Sequence, residues 1–374
     1  MINSQKKAHQ RRNNILTISS LALLAVVLYL ADNGYILNDY TVRIVRMCGI
    51  YSITAISMNL INGMTGQFSL GHAGFMAIGA YVTTLMCMEP EAKEALYYIA
   101  EINPFIRALN APFFIALIVG GIVAGIAAFL IGFPVLRLRG DYLGIASLGF
   151  SEIIRILITN WASITNVAIG IKNIPATANV WWTTIAAGLT IFGINRLMKT
   201  SYGRAFKSIR DDEIAAEAMG VSLFRHKMMS FILSAFLAGV SGGLLASVIG
   251  SVTPNFYRFT LTYEILLIVV LGGQGSITGS VIGAVLVTVM KEWLRFLDEG
   301  FNLVFFKVPA IAGMRMLVFS ILLMLIILFK REGLMGNREF SWDGLFDFFK
   351  SLPKRVTAFV GKIANLFSKK KGEA

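Results

Sequence analysis

The residue types that most often carry chemistry are sparse and scattered in this chain. Its 374 residues include three histidines, and His9, His72 and His226 fall at the N-terminus, in an apolar run and in a basic segment. Such scatter predicts no Ser/His/Asp triad, no pair of catalytic carboxylates and no metal site. Cys48 and Cys87 both lie in apolar stretches, which is typical of small buried side chains. We therefore expect no enzyme activity and no cofactor in this chain.

The sequence also lacks the pattern of a nucleotide-binding loop. It contains no G-x-x-x-x-G-K-[S/T] motif. Gly273-Gln-Gly275 fails as a dinucleotide fingerprint, because it lies in apolar sequence and Gly279 comes one residue too late. If ATP drives this protein, we expect ATP and Mg²⁺ to bind to a partner subunit.

A few ionisable side chains interrupt the apolar runs. His72 is a candidate for substrate contact or proton transfer. We favour a hydrogen bond between helices, because neutral imidazole has one donor and one acceptor to satisfy. Glu152 and Arg155 are three residues apart and are predicted to neutralise each other on one helix. Glu264 and Arg315 have no local partner, so they either pair across helices or lie near a membrane interface.

The composition indicates the elements that position these residues. Hydrophobic residues make up 56% of the chain and charged residues only 15%, against roughly 25% charged in a soluble domain, which excludes a soluble globular enzyme. A bilayer core is crossed by about 20 helical residues. We predict an all-α polytopic membrane protein with nine or ten transmembrane helices, and the Gly-rich run 262–290 is one helix or two. The predicted spans are 15–31, 44–63, 67–88, 112–133, 142–159, 178–198, 228–250, 262–290 and 308–329.

The charge distribution predicts an orientation in the membrane. In a soluble protein, a net charge of +13 would suggest nucleic acid. Here most of the 34 Lys and Arg residues lie at the N-terminus, in two loops and in the tail, which is the positive-inside pattern. The first apolar run has no small-residue cleavage pattern, so it is predicted to be a span and not a removed signal. We predict a bacterial-type inner membrane location with both termini cytoplasmic. The predicted cytoplasmic segments are 1–14, 134–141, 196–227 and 330–374.

Two segments interrupt the apolar sequence with glycine and polar residues. The first is Gly63-Met-Thr-Gly-Gln-Phe-Ser-Leu-Gly-His-Ala-Gly74, and the second is Leu271-Gly-Gly-Gln-Gly-Ser-Ile-Thr-Gly279. Discontinuous helices at corresponding places in two halves indicate a substrate path, since irregular backbone at that depth is tolerated only inside protein or beside water. Close helix packing explains these glycines equally well, and it is favoured for small-xxx-small pairs such as Gly121/Gly125 and Gly239/Gly243. The candidate path residues are Ser69, Gly71, His72, Gly74, Gly144, Glu152, Gly272, Gly273 and Gly275.

The segment 196–227 contains a motif that favours a docking helix. Acidic residues at 211–213 are typical of a helix N-terminus and Gly220 of a helix stop, which predicts a helix of about nine residues. Such a helix is roughly 14 Å long and too short to span a membrane. Small side chains at 215, 216 and 218 would let the groove of a partner close around it, with Glu213 and Glu217 reaching basic groups. The simpler alternative is a connector.

These segments resemble the LivM type of ABC-transporter permease, the group that includes branched-chain amino acid uptake systems. Glu213-Ile-Ala-Ala-Glu-Ala-Met-Gly220 is similar to the coupling segment of that family, which docks on an ATPase subunit. Asn59-Leu-Ile-Asn-Gly63 resembles the family's N-L-x-x-G motif. Further similar runs are Ser69-Leu-Gly-His-Ala-Gly-Phe-Met-Ala-Ile-Gly-Ala-Tyr81, Leu136-Arg-Leu-Arg-Gly-Asp-Tyr-Leu143, Leu148-Gly-Phe-Ser-Glu152 and Val270-Leu-Gly-Gly-Gln-Gly-Ser-Ile277.

The resemblance implies a subunit of an importer. Its partners would be a LivH-like second permease, one or two ABC ATPase subunits, an extracytoplasmic binding protein that delivers the substrate, and membrane lipid. No nucleic acid is implied. The coupling residues carried over are Arg204, Arg210, Asp211, Glu213, Ala215, Ala216, Glu217 and Gly220.

One departure from the family pattern concerns the substrate. A Gly-rich loop of the form T-G-G-x-N-G-x-x-G-I-P is replaced here by Thr165-Asn-Val-Ala-Ile-Gly-Ile-Lys-Asn-Ile-Pro175, which loses the Gly-Gly pair. We favour branched-chain, hydrophobic amino acids as the substrate. The alternatives are urea or short amides, or a stand-alone secondary transporter that uses the two interrupted segments as its site.

The sequence predicts three regions. A basic N-terminus occupies 1–14, and a permease domain occupies 15–335 with its coupling loop at 199–227. The tail 336–374 is basic, and apolar residues repeat in it at helical spacing, which favours a helix on an anionic membrane surface over a solubilising tail.

Overall fold

The structure is a computed structural model. It describes residues 38–340 except 98, 99, 139, 300, 304, 305, 309–312, 331 and 337, together with single residues and short stretches between 12 and 32. Residues 30–338 form one compact unit, and the other unit takes in 1–29 and 339–374. The predicted surface helix of the tail falls in 341–374, outside the described residues. The described residues of the predicted first span, 15–31, are helical.

Helices dominate the described chain, which confirms the all-α membrane fold class. Helix α1 covers Asp39–Asn59 and continues into a π-helical turn, Leu60–Met64. The other helices are α2 (His72–Cys87), α3 (Pro90–Glu94), α4 (Pro104–Ala108), α5 (Phe113–Val135), α6 (Asp141–Asn160), α7 (Ala162–Thr165), α8 (Val180–Met198), α9 (Ser201–Asp211), α10 (Glu213–Ala218), α11 (Leu223–Ile249), α12 (Phe259–Gly272), α13 (Ile277–Trp293), α14 (Phe296–Glu299) and α15 (Met314–Phe329).

Within the described residues, five helical stretches are long and apolar enough to cross a membrane. Three shorter apolar helices accompany them, namely His72–Cys87, Phe259–Gly272 and Met314–Ile326. The Gly-rich run 262–290 is divided between α12 and α13. The predicted span 67–88 begins as a helix only at His72, because the preceding glycines and polar residues adopt extended or turn backbone. The five long stretches are Asp39–Met64, Phe113–Val135, Asp141–Asn160, Leu223–Ile249 and Ile277–Asp298.

The centre of the unit is built by α2, α5 and α11, which approach one another through glycine. A Cβ atom at Gly79 of α2 would overlap the backbone of Gly239 in α11. At Gly239 itself, a Cβ atom would lie 2.7 Å from the Cβ of Ala124 in α5. Such contacts let helix backbones pack without intervening side chains. The packing interpretation of the small-xxx-small pairs is therefore confirmed at this place.

Two short antiparallel strand pairs lie between the helices. Strand β1 (Ile171–Lys172) pairs antiparallel with β2 (Ser251–Val252), with Ile171 opposite Val252. Strands β3 (Phe301–Leu303) and β4 (Phe306–Val308) form the second pair. Gly170 precedes β1 with φ +70°, and a Cβ atom there would overlap the carbonyl of Val252. This glycine is thus required by close backbone approach, although the neighbouring Gly-Gly pair of the family motif is absent.

The segment between α2 and α5 contains two buried polar side chains. Lys93 of α3 donates hydrogen bonds to the carbonyl oxygens of Ile106, at 3.1 Å, and Leu109. Burial lowers the pKa of its ammonium group. Tyr97 donates to the carbonyl oxygen of Ile164, and burial raises the pKa of its phenol to about 12. These bonds fix the loop to α4 and α7.

Candidate functional site

The helix predicted near residue 213 is present but shorter than predicted. Asp212 has an extended backbone, with φ −160° and ψ 112°, so it ends α9 and begins α10. Its Oδ1 accepts hydrogen bonds from the backbone N–H groups of Ile214 (2.8 Å) and Ala215 (3.0 Å), which is a typical N-cap. Gly220 follows the helix in the left-handed region, with φ +85°. The predicted length of about nine residues is wrong, because Asp211 belongs to α9 and α10 has only six residues.

Helix α10 presents apolar side chains on its outer face. Ile214 is 77% exposed and Met219 is 85% exposed. Ala215 and Glu217 are exposed beside them, whereas Ala216 is buried and faces this chain. Exposed large apolar side chains beside a concave surface are typical of a protein interface.

A groove of about 570 Å³ runs between α9 and α10. Both helices contribute to its walls, so the pair forms one surface. The groove is lined by Ser201, Arg204, Ala205, Ser208, Asp211, Asp212, Ala215, Ala216, Met219 and Val221. This surface, α9 and α10 with Met219 and Val221, is called the coupling surface below.

The charged residues of the coupling surface are held mainly by this chain itself. Glu213 accepts a hydrogen bond from Lys227 Nζ of α11 at 2.5 Å, and the Lys227 side chain is only 8% exposed. Arg210 pairs with Asp211 at 2.9 Å. Arg204 donates to Ser201 Oγ at 2.9 Å. Glu213 therefore attaches α10 to α11, and Glu217 is the acidic side chain of α10 that remains exposed.

Helix α9 rests directly on the first interrupted segment. Gly66 has φ +76°, and a Cβ atom there would lie 2.9 Å from the Cα of Arg210. Arg210 Nη1 also donates to the carbonyl oxygen of Gly63 over 3.4 Å. The close approach requires glycine at position 66. Helix α9 therefore contacts the segment 63–66 directly, so a movement of α9 would displace that segment.

The two interrupted segments contact each other through Asn59. Its Nδ2 donates to the carbonyl oxygen of Ser276 at 2.8 Å and to Ser280 Oγ at 2.7 Å. Its Oδ1 accepts from the backbone N–H of Gly275 at 2.8 Å. Asn59 is fully buried, and Gly63 is so close to Gly275 that a Cβ atom would overlap its nitrogen. The structure thus brings together two segments about 200 residues apart in the sequence.

Residues that follow α15 pack against the second segment. The N–H of Leu334 donates to Leu271 O at 2.8 Å, and that of Met335 to Gly272 O at 3.0 Å. Gly273 has φ +118°, and a Cβ atom at Gly333 would lie 2.6 Å from its Cα. The carbonyl groups at the end of α12, which lack partners in their own helix, are thereby satisfied.

Gly272 has a separate packing role in the second segment. A Cβ atom there would overlap the carbonyl oxygen of Gly279 in α13. The glycine therefore lets α12 and α13 meet at the break between them.

His72 begins α2 and is completely buried. Its Nε2 lies 3.0 Å from Ser234 Oγ of α11, and Ser234 Oγ donates to the carbonyl oxygen of Ser57 in α1. Within the described residues, its Nδ1 has no hydrogen-bond partner. This is the interhelical hydrogen bond that the sequence predicts, and it joins three helices.

The remaining residues of the first segment lie against α6. A Cβ atom at Gly71 would lie 3.1 Å from Ser147 O, and one at Gly74 would lie 3.0 Å from the Cα of Ser151. Gly144 packs on the ring of Phe68 so closely that a Cβ atom would overlap it. The hydroxyl of buried Ser69 has no partner among the residues that the structure describes. The glycines predicted to line a path therefore allow α6 to pack closely against the first interrupted segment.

The acidic and basic residues that the sequence singles out in the spans form ion pairs. Glu152 and Arg155 form an ion pair at 2.6 Å, which confirms that they neutralise each other on α6. Glu264 of α12 pairs with Lys291 of α13 at 2.5 Å. Arg315 of α15 pairs with Asp298 at 3.3 Å. The sequence leaves two alternatives for Glu264 and Arg315, and the structure shows that both residues pair across helices.

Three residues of this arrangement have no role predicted from the sequence. Asn59 is part of the N-L-x-x-G motif, Lys227 is the last residue of the predicted loop 199–227, and Ser234 lies in an apolar run. Each is a polar residue in or beside an apolar helix, and a buried polar group requires a partner. That pattern signals a structural contact but does not identify the partner.

The comparisons with known proteins agree with the geometry. Residues 40–328 match the family model described as "Branched-chain amino acid transport system / permease component". The high-affinity branched-chain amino acid transport system permease protein LivM of Escherichia coli is 34% identical over 313 residues, which are 75% of this chain and 69% of the relative. The probable LivM of Methanocaldococcus jannaschii is 24% identical over 325 residues, 80% of this chain and 94% of the relative.

A second kind of permease also matches. The LivH permease protein of Salmonella typhimurium is 24% identical over 269 residues, which cover 66% of this chain and 82% of the relative. No solved structure matches the chain.

Proposed function

Since the chain belongs to the family of permease components of branched-chain amino acid transport systems, we propose that it is half of the membrane pathway of an ATP-driven importer. It is a multi-pass membrane permease subunit. Its partners in the proposal are a LivH-like second permease, one or two ABC ATPase subunits that bind ATP and Mg²⁺, and an extracytoplasmic binding protein. The membrane is a cytoplasmic (inner) membrane, with the coupling surface and both termini on the cytoplasmic side.

The observation that carries the proposal is a continuous set of contacts that begins at the coupling surface. Ile214 and Met219 are exposed on α10 and would enter a groove of the ATPase subunit. Behind them, Arg210 touches Gly63 and Gly66, and Asn59 joins Gly63 to Gly275. Closure of the ATPase subunits would shift α9 and α10, and this shift would reach both interrupted segments.

The two interrupted segments are proposed to form the movable wall of the translocation path. Backbone contacts at glycine have no side chains to interlock, so segments packed in this way can move by small displacements between two arrangements. His72 and Ser69 lie at the start of α2, where the helix begins inside the protein. In this role the path residues Ser69 to Gly74, Gly144, Glu152 and Gly272 to Gly275 position the wall and do not form a catalytic centre.

The proposed substrate is a branched-chain, hydrophobic amino acid. The permeases similar to this chain along most of its length are named for branched-chain amino acid transport. A binding protein would supply most of the selectivity, since the described chain contains no separate ligand-binding domain.

Co-purification tests the assembly. The tagged chain is extracted gently from its native membrane, and co-purifying proteins are identified by mass spectrometry. We expect a second permease and at least one P-loop ATPase in stoichiometric amounts. Recovery of the chain alone from intact, transport-competent membranes would contradict the proposal.

A further inference from the structure

A second concave surface lies on the outside of the helical unit, between α5 and α11. This groove has a volume of about 840 Å³. Its walls are almost entirely apolar, and polar side chains occur at one end only. It is lined by Ile122, Gly125, Ile126, Phe129, Tyr202, Arg225, His226, Met228, Met229, Ile232, Leu233 and Phe236. We call it the outer groove.

The outer groove exists because one helix lacks a side chain at its floor. Gly125 of α5 faces α11, and a Cβ atom there would lie 3.6 Å from Ile232 Cγ2, which is an ordinary contact distance. A Cβ atom therefore fits at this position, and glycine leaves its space open. Ile126 and Phe129 stand beside it, each about half exposed, and form one wall.

The length of the outer groove matches one leaflet of a bilayer. Its lining on α11 runs from Arg225 to Phe236, and eleven steps of 1.5 Å give about 16 Å. The hydrocarbon core of a bilayer is about 30 Å thick. The groove is thus about as long as one leaflet of the hydrocarbon core is thick.

The polar end of the outer groove is cationic. Arg225, His226 and Tyr202 lie there. Arg137 is close by, because its guanidinium lies 4.7 Å from the ring centre of Phe133, which packs against Phe224. Among the described residues, neither Arg137 nor Arg225 has an acidic partner. The polar end of the outer groove therefore carries positive charge that no acidic side chain of the described residues neutralises.

We propose that the outer groove binds one anionic phospholipid. The acyl chain lies along Gly125 and Ile232, and the phosphate contacts Arg225, His226 and Tyr202. The combination of an apolar channel one leaflet deep with a cationic mouth is complementary to this ligand. Tyr202 belongs to the first turn of α9, so a bound lipid contacts the coupling surface directly.

The tail of this chain fits the outer groove less well. It is rich in Lys and Arg, and its charge would be repelled by Arg137 and Arg225. Charge therefore favours an anionic lipid, and an apolar helix of a partner is an outcome that the test below distinguishes.

Lipid titration with native mass spectrometry tests the proposal. The chain, with its co-purifying subunits, is delipidated and titrated with phosphatidylglycerol or phosphatidylcholine of identical acyl chains. We expect phosphatidylglycerol to bind about fivefold more tightly. Arg225→Gln should abolish this preference, and Gly125→Leu should weaken binding of both lipids by filling the floor.

Two control variants test whether a change of charge or an added side chain outside the groove also alters lipid binding. Arg258→Glu alters an exposed arginine at the start of α12, and Gly188→Leu adds a side chain on α8 where nothing lies within 4 Å. Both should bind lipid like the unaltered protein. Equal affinity for the two lipids, binding that survives Gly125→Leu, or a partner helix resolved in the groove by electron microscopy would each overturn the proposal.

Discussion

Asn59 and Ser276 lie in different halves of the chain, and the side-chain amide of Asn59 donates a hydrogen bond to the carbonyl oxygen of Ser276 over 2.8 Å. With the bond from Gly275 to Asn59 Oδ1, this contact fixes the break between α12 and α13 against the end of α1. These bonds connect the two Gly-rich segments to each other. The proposed coupling of ATP hydrolysis to transport depends on that connection.

Asn59→Asp tests this connection with almost no change of volume. The substitution removes the donor to Ser276 and Ser280 and buries an acid, which should cost about 2 kcal/mol or more of the free energy of unfolding. We expect a lower midpoint of thermal unfolding of the purified complex and a loss of substrate uptake.

Asn160→Asp is the matched control for this substitution. Asn160 is exposed, and among the described residues its side chain bonds to Ile156 O of its own helix. It should leave the unfolding midpoint and uptake nearly unchanged. If Asn59→Asp behaved like this control, the contact would be irrelevant to both stability and transport.

Glu217→Arg tests the coupling surface. Glu217 is exposed on α10 and makes no ion pair among the described residues, so reversing its charge should not disturb the fold. We expect the protein to reach the membrane in normal amount, with weaker ATPase binding and at least about tenfold slower uptake. Quantitative co-purification and uptake assays measure both effects.

Glu91→Arg reverses an equally exposed glutamate in the short helix α3, far from the coupling surface along the chain. This control should retain full uptake.

Gly220→Pro should also reduce coupling, because proline cannot adopt the φ of +85° found there. Full activity in both Glu217→Arg and Gly220→Pro would exclude a docking role for α10.

The ion pair between Glu213 and Lys227 is predicted to attach α10 to α11. Glu213→Gln leaves the nearly buried ammonium of Lys227 without its charged partner, and we expect a loss of about 2 kcal/mol of stability. Lys227→Met removes the cation together with the need for that partner. The double variant should therefore be more stable than the sum of the single effects predicts, which unfolding measurements on all four proteins would detect. Simple additivity would show that the pair contributes nothing.

The buried phenol of Tyr97, which lies outside the membrane spans, is expected to make the stability of the fold depend on pH. Burial raises the pKa of its phenol to about 12, whereas the unfolded chain loses this proton near 10.0. Between these values the unfolded state has lost the proton and the folded state retains it. The contribution of Tyr97 to stability is thus complete below pH 10 and falls as the pH rises toward 12.

The phenolate absorbance of the folded protein measures this shift. The difference between the unaltered protein and Tyr97→Phe should titrate near pH 12. A midpoint near pH 10 would mean that the Tyr97 hydroxyl is not held against Ile164 as described.

Much of the fold could be predicted from the sequence because it depends on local composition. The predicted span 142–159 lies within α6 (Asp141–Asn160), since apolar length determines a membrane helix directly. A short helix near residue 213 is predicted at the correct place but with the wrong length. An N-cap at Asp212 and one at Asp211 look alike in the sequence, whereas in the structure Asp211 ends α9 and Asp212 caps α10.

The candidate site was less predictable, because its contacts are between distant residues. The glycines around 63–74 and 271–279 could be identified as unusual, yet nothing in the sequence indicates that Asn59 joins them across 216 positions. Likewise, the sequence does not indicate that Glu213 pairs with Lys227 of the same chain and not with a partner. Such pairings depend on the tertiary packing of α1, α10, α11 and α13.

Reconstitution in liposomes tests the central claim most directly. The purified chain, alone or with its co-purified subunits and binding protein, is supplied with labelled leucine and with either ATP or an ion gradient. We predict no uptake by the chain alone, and uptake by the complete assembly only with ATP and the binding protein. Accumulation of leucine by the chain alone under an ion gradient would contradict the account and identify a secondary transporter.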